Sequence, residues 1–215
     1  MNPETTTTQT GQITLPAAEL RAILATLDEF TTSDKTKHVL TLARVTPLVI
    51  EQTADDETRP TGLVWEATDS YALVSISHRV KHDLTGPALI DPAAILATMP
   101  KKTDAKPESV LTITGDTWQH VNGQTTSTGT TTQPSYWATT LGLWNDQRDT
   151  LAPHTVGAFQ LARLAKAAKH LGTDQVNAVS MAHTNDQPDP RKPIVYTITG
   201  DNIEARCLIM PARRR

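Results

Sequence analysis

Residues 62–77 read GLVWEATDSYALVSIS: two runs of aliphatic, aromatic and β-branched residues, each of strand length, interrupted by Ala67-Thr68-Asp69-Ser70. A tight turn between two paired strands, capped by Asp69, accounts for the break. Upstream, Ile13-Thr14-Leu15 reads as a strand, and Pro16 opens a helix whose apolar stripe is Leu20, Ile23, Leu24 and Leu27. HVLTLARV (38–45) and PLVIEQT (47–53) add strands, and the acidic ADDETRPT (54–61) is a surface loop. The first unit is therefore strand, helix, then strands.

The order repeats downstream. GPALID (86–91) is a strand, Pro92 starts the helix PAAILATM, and Lys101-Lys102 stand at its far end, where the helix dipole favours them. SVLTITGD and TWQHVNG form a hairpin about Gly115-Asp116, and the polar QTTSTGTTT is an edge strand. In the last third, TVGAFQ (155–160) reads as a strand, LARLAKAAKHLG (161–172) as a helix closed by Gly172, and VNAVSMAH, PIVYTIT and NIEARCLIM as strands. Three units of about 60–70 residues, each unable to bury its helix alone, predict an α+β fold in which stacked units build a continuous sheet with the helices on one face.

Composition narrows function. A formal charge of −3 excludes a surface that is basic all over, but positive charge collects late, at Arg163, Lys166, Lys169, Arg191, Lys192 and Arg213–Arg215. On the third helix Leu161, Leu164, Ala165, Ala168 and Leu171 read as the apolar face, with Arg163, Lys166, Lys169 and His170 opposite. One cysteine, Cys207, precludes an internal disulfide and fits a reducing cytoplasmic compartment. No apolar run reaches the ~20 residues of a membrane span, and the amino terminus resembles no signal peptide. The seven histidines lack metal-ligand spacing, and no phosphate-binding loop or nucleophile motif occurs. The chain is thus expected to have no catalytic residues, no metal and no cofactor.

Four stretches, in order, resemble the bacterial DNA polymerase III beta sliding clamp family: ATDSYALVSIS (67–77), LIDPAAILATMP (89–100), QPSYW (133–137) and CLIMPARRR (207–215). The chain departs from that family at Ser70-Tyr71-Ala72, where Gly-His-Arg is usual, and at Gln133, where Phe precedes the connector proline. The resemblance implies the DNA clamp fold. Residues 1–11, threonine-rich and without periodicity, are expected to form a disordered tail, and the resemblance divides the rest into a complete clamp-like domain (12–145, units 12–83 and 86–145) and a carboxy-terminal half-domain (146–215).

The resemblance further implies a hydrophobic pocket for short peptides, which carries over to Thr68, Asp69, Tyr71, Leu73, Pro134, Met210 and Pro211. It places Arg163, Lys166, Lys169, His170, Lys101 and Lys102 toward DNA, where sliding needs phosphate attraction without base readout. Implied partners are double-stranded DNA, a DNA polymerase and other clamp-binding proteins, a clamp loader, and further copies in a homo-oligomeric ring. Three units per chain imply a tetramer if a ring holds about a dozen, whereas chain length resembles clamps that form trimers, and both stay open. The rival expectation is a clamp-derived peptide-binding adaptor that does not encircle DNA.

Overall fold

The computed structural model describes residues 10–34, 36, 38–48, 62–99, 108–114, 117–122, 125–130, 147–148, 156–184, 187–189, 191–200 and 203–211. The first unit comprises β1 (Thr10–Pro16), α1 (Ala17–Phe30), β2 (Ala43–Pro47), β3 (Gly62–Thr68) and β4 (Ala72–Arg79). The second comprises β5 (Ala88–Ile90), α2 (Pro92–Thr98), β6 (Glu108–Thr114), β7 (Thr117–Asn122) and β8 (Thr125–Thr130). The short β9 (Gln147–Arg148), α3 (Ala158–His170), β10 (Asn177–Thr184), β11 (Gln187–Pro188), β12 (Ile194–Thr199) and β13 (Ile203–Ile209) complete the described elements.

The repeated units are present, with a difference in how their strands are shared. Instead of one continuous sheet the described residues form two: a four-stranded sheet β1-β6-β7-β8, and a nine-stranded sheet β11-β10-β12-β13-β4-β3-β2-β5 with β9 beside β10. The first two units exchange their opening strands, since β1 pairs with β6 and β5 pairs with β2. The exchange has a physical reason. One helix over three strands buries only one side of its stripe, whereas α1 here lies against β3 and β4 of one sheet and against β1 and β6 of the other. Its stripe Leu20, Ile23, Leu24, Leu27 and Phe30 is at most 1% exposed.

The third unit joins the first edge to edge. β13 pairs antiparallel with β4 in the register Ile209↔Ala72, Leu208↔Leu73 and Cys207↔Val74. From that junction the sheet reads alike in both directions: β4-β3-β2-β5 one way, β13-β12-β10-β9 the other. Cys207 lies buried at the junction, and burial pushes its thiol well above the ordinary range, so it serves packing.

Local signals explain two of the helix ends. Asp91 Oδ1 accepts the Ala94 amide at 2.9 Å and Pro92 follows, a capped start for α2. At the end of α3, Gly172 is left-handed (φ 78°) while Gly172 N donates to Lys169 O and Thr173 N to Ala168 O, the paired bonds of a Schellman motif. Two expectations fail. Residues 38–41 of HVLTLARV form a 3-10 turn, so the strand begins only at Ala43. Residues 158–160 of TVGAFQ are the first turn of α3, because alanines at 158, 162 and 165 extend the helical run toward the amino end. The expected tail over 1–11 is too long, because Thr10 and Gly11 already pair with Thr114 and Ile113 as the start of β1; its residues 1–9, the strand expected over 49–53, the acidic loop and the connector stretch 133–137 lie outside the described residues.

Two side-chain arrangements carry predictions. Gly129 faces Trp118 across the β7–β8 ladder, and a Cβ there would overlap the Trp118 ring, which is 3% exposed. Gly129→Ala should therefore destabilise the fold by about 2 kcal/mol through overpacking, read as a lower urea midpoint and a shifted Trp fluorescence. Burial also holds the imidazoles of His78 and His120 below their ordinary pKa, the Glu19 carboxylate 2.9 Å from His78 Nε2 opposing it less strongly. The unfolded chain binds these protons and the folded chain does not, so stability is full above the unfolded pKa of about 6.5 and falls on acidification. The limiting slope is about 1.4 kcal/mol per pH unit for each histidine. Buried Glu66 and Asp28, whose carboxyls are pushed up, act in the opposite sense. The histidine effect is accordingly read as the difference in slope between the wild type and His120→Gln, which should be shallower between pH 7 and pH 5.

Candidate functional site

The β3–β4 turn is built by its own side chains. Asp69 Oδ1 accepts the amides of Tyr71 and Ala72, both at 2.9 Å. Thr68 Oγ1 donates to Ala72 O at 2.7 Å and accepts Ser70 N at 3.1 Å. Ser70 sits at φ 80°, the left-handed region that glycine enters without cost. That geometry accounts for the glycine of the resembling family at this position, and Ser70 adopts it here with Thr68 Oγ1 accepting its amide.

The β13–β4 pairing then brings the far end of the chain to this turn. The ladder extends one step past Ile209↔Ala72, with Met210 N donating to Tyr71 O at 3.0 Å. Tyr71 is 65% and Met210 38% exposed, two of the four large apolar side chains left exposed among the described residues. Strand alternation turns Ala72, Val74, Cys207 and Ile209 into the helix-side core. Leu73 and Leu208, adjacent in register, and Val195, opposite Leu208, therefore occupy the other face. These three are 0–2% exposed.

The expected set thus divides. Thr68, Asp69, Tyr71, Leu73 and Met210 are brought together, with Pro211 following directly, and Pro134 lies outside the described residues. Tyr71 and Met210 form an exposed rim, whereas Thr68 and Leu73 are buried at 5% and 2%. Val195 and Leu208 were not singled out from the sequence. Their signal is a pair of apolar residues at positions that alternate with the core, visible only once the pairing is known.

A second feature lies on the helix side. α1 and α3 flank an open groove of about 430 Å³ lined by Ala18, Arg21, Ala22, Ala25 and Glu29 of α1 and by Lys166, Lys169 and His170 of α3. Lys166 Nζ is 3.2 Å and His170 Nε2 4.0 Å from the Glu29 carboxylate. Burial, aided by Lys166 and Lys169, holds His170 below its ordinary pKa despite Glu29 and Asp28, so its contribution to positive charge grows only on acidification. The small residues Ala18, Ala22 and Ala25 recur at helical spacing and leave the groove open.

The reading of the third helix needs correction. Arg163 does not share the exposed face with Lys166, Lys169 and His170, because it is 3% exposed. Its Nε donates to Glu29 O at 2.5 Å, and its Nη1 to Asp69 Oδ2 at 2.8 Å and to Gln160 Oε1 at 3.1 Å. The guanidinium carbon lies 4.7 Å from the Phe30 ring centre and 5.5 Å from that of Phe159. Conversely, Leu161 and Ala165, expected inside, are exposed, and Leu164, Ala167, Ala168 and Leu171 form the buried face. Lys101 and Lys102 lie outside the described residues. Among the described residues no group of His, Cys, Asp and Glu could hold a metal ion, and no helix is long and apolar enough to cross a membrane.

No protein-family model matches the chain, and no curated protein matches it. Solved structures do. A DNA polymerase III beta subunit of Eubacterium rectale, described as putative, superposes with a TM-score of 0.63 at 12% identity, over 94% of this chain and 66% of its own. The Bartonella birtlesii sliding clamp bound to griselimycin matches with a TM-score of 0.59 at 13% identity, again over 94% and 66%. The proliferating cellular nuclear antigen of Entamoeba histolytica gives a TM-score of 0.53 at 11% identity over 95% of this chain and 99% of its own. The chain therefore spans just under two thirds of the length of these bacterial clamps. Paired units, opening strands exchanged between them and helices gathered on one side of the large sheet give this chain the DNA sliding-clamp fold.

Proposed function

We propose that the chain is a non-catalytic DNA sliding clamp, a processivity factor that rides on duplex DNA and tethers a polymerase and other clients through an apolar surface site. One juxtaposition carries the reading. On one side of the large sheet lies an open groove whose lining holds the cations Arg21, Lys166 and Lys169 and, as its carboxylate, Glu29, which Lys166 contacts at 3.2 Å. At the turn end of the same sheet, Tyr71 and Met210 form an exposed apolar rim beside buried Leu73 and Leu208. Cations without a recognition element for bases suit phosphate contact that tolerates any sequence. An apolar rim in which methionine adapts to varied side chains suits short peptides. The partners are double-stranded DNA, a polymerase, a loader that opens the ring, and further copies of the chain that close it.

The deciding experiment combines native mass with topology. A ring gives a mass of three or four chains, stays on circular plasmid through gel filtration, and leaves when the plasmid is cut once. A monomer with no topology-dependent retention ends this reading and leaves the peptide-binding adaptor, which the Glu29–Lys166 pair favours by offsetting charge in the groove. Glu29 supplies a finer check. Its carboxylate competes with phosphate for Lys166, so Glu29→Gln should tighten duplex binding by about threefold at low salt, the scale of one exposed ion pair. Fluorescence anisotropy with a labelled duplex measures it.

A further inference from the structure

Arg163 is the only arginine among the buried polar and charged side chains of the described residues, and it spans three separate parts of the chain. It stands on α3, its Nε holds the carbonyl of Glu29 near the end of α1, and its Nη1 holds Asp69 in the β3–β4 turn. Phe30 and Phe159 flank the guanidinium, which fixes its plane and keeps its hydrogen-bond fork directed. The two oxygens of Asp69 divide the work: Oδ1 gathers the Tyr71 and Ala72 amides, and Oδ2 receives Arg163. Through Tyr71 O the same turn receives the Met210 amide.

From this the geometry points to Arg163 as a positioning residue for the partner site: it ties the helix layer to the β3–β4 turn and thereby sets where Tyr71 and Met210 stand. The inference rests on the reading of Tyr71 and Met210 as client contacts, and it assigns Arg163 a role other than touching DNA. The chain of hydrogen bonds is short and each link is directional. A bidentate or multi-branched arginine loses its geometry when replaced by lysine, which can keep the charge but not three donors in one plane.

The test uses the full chain and four variants: Arg163→Met, which keeps a stem between the two phenylalanines, Arg163→Lys, Asp69→Asn, and the double variant Arg163→Met/Asp69→Asn. The Asp69→Asn side chain retains an oxygen for the Tyr71 and Ala72 amides while presenting an amide to Arg163, so it removes the link but not the turn cap. Hydrogen exchange is read at the Tyr71, Ala72 and Met210 amides against those of β12. The expectation is at least tenfold faster exchange at the three site amides in Arg163→Met and in Asp69→Asn, an intermediate effect in Arg163→Lys, and no further increase in the double variant. Unchanged exchange, or an equal rise across β12, overturns the proposal.

Two ligands complete the test. A synthetic peptide from the clamp-binding segment of a bacterial polymerase should bind Arg163→Met at least tenfold more weakly than wild type, whereas binding to a 30-base-pair duplex should stay within twofold with the same salt slope. Equal peptide affinity in both proteins, or a salt slope lowered by about one, overturns the positioning role. If the wild type binds no peptide, the client-site reading falls, and hydrogen exchange alone decides whether Arg163 positions the turn.

Discussion

Replacing Met210 with glutamate should lower affinity for an apolar client peptide by about 100-fold while leaving the thermal midpoint within about 3 °C of wild type. The asymmetry follows from position. Met210 is 38% exposed beyond the end of β13, so its side chain leaves the core unaltered. A client that seats an apolar side chain there would instead meet a carboxylate that it must desolvate without a partner. Leu73, also assigned to the pocket, offers no such clean test: at 2% exposure, a charge there would unfold the turn region before it informed on binding. Isothermal titration with a synthetic peptide from the clamp-binding segment of a bacterial polymerase gives the measurement. An affinity within threefold of wild type would remove Met210 from the site.

Reversing Lys166 and Lys169 together to glutamate should weaken duplex binding by about two orders of magnitude at low salt and reduce the salt slope by about 1.8, close to 0.9 for each phosphate no longer neutralised. Both side chains are exposed in the α1–α3 groove, and the reversal adds two carboxylates beside Glu29. Folding should be little affected, because neither lysine is buried. The reversed protein should still bind client peptide like the wild type, since the Tyr71–Met210 rim lies at the turn end of the sheet and shares no residue with the groove. Anisotropy titrations across 50–200 mM salt distinguish this outcome from a groove that does not meet DNA, for which the slope would not change. Arg163 stands apart from this pair, its charge already committed to Asp69 and to the Glu29 carbonyl.

The sequence by itself determined what short-range chemistry can specify. The Leu20–Leu27 stripe defined α1, Asp91-Pro92 opened α2, Gly172 closed α3, and Thr68-Asp69-Ser70 marked the turn that the structure builds from those side chains. Each is a matter of helical period, capping or left-handed backbone within a few residues. The resemblance of four short stretches also reached as far as the clamp fold, and the TM-scores of 0.53–0.63 at 11–13% identity agree with it.

Tertiary structure alone decided the rest. That β1 leaves its unit for β6, that β5 crosses to β2, and that β13 lies against β4 are pairings between distant segments, chosen by which apolar faces remain to be covered once the helices form. Arg163 shows the same limit at one residue. Its helical spacing groups it with Lys166 and Lys169, yet a carboxylate on the β3–β4 turn, a carbonyl at the end of α1 and two aromatic rings make burial favourable there. A side chain goes where its hydrogen-bonding capacity is met, and those partners were set by the packing of three units against one another.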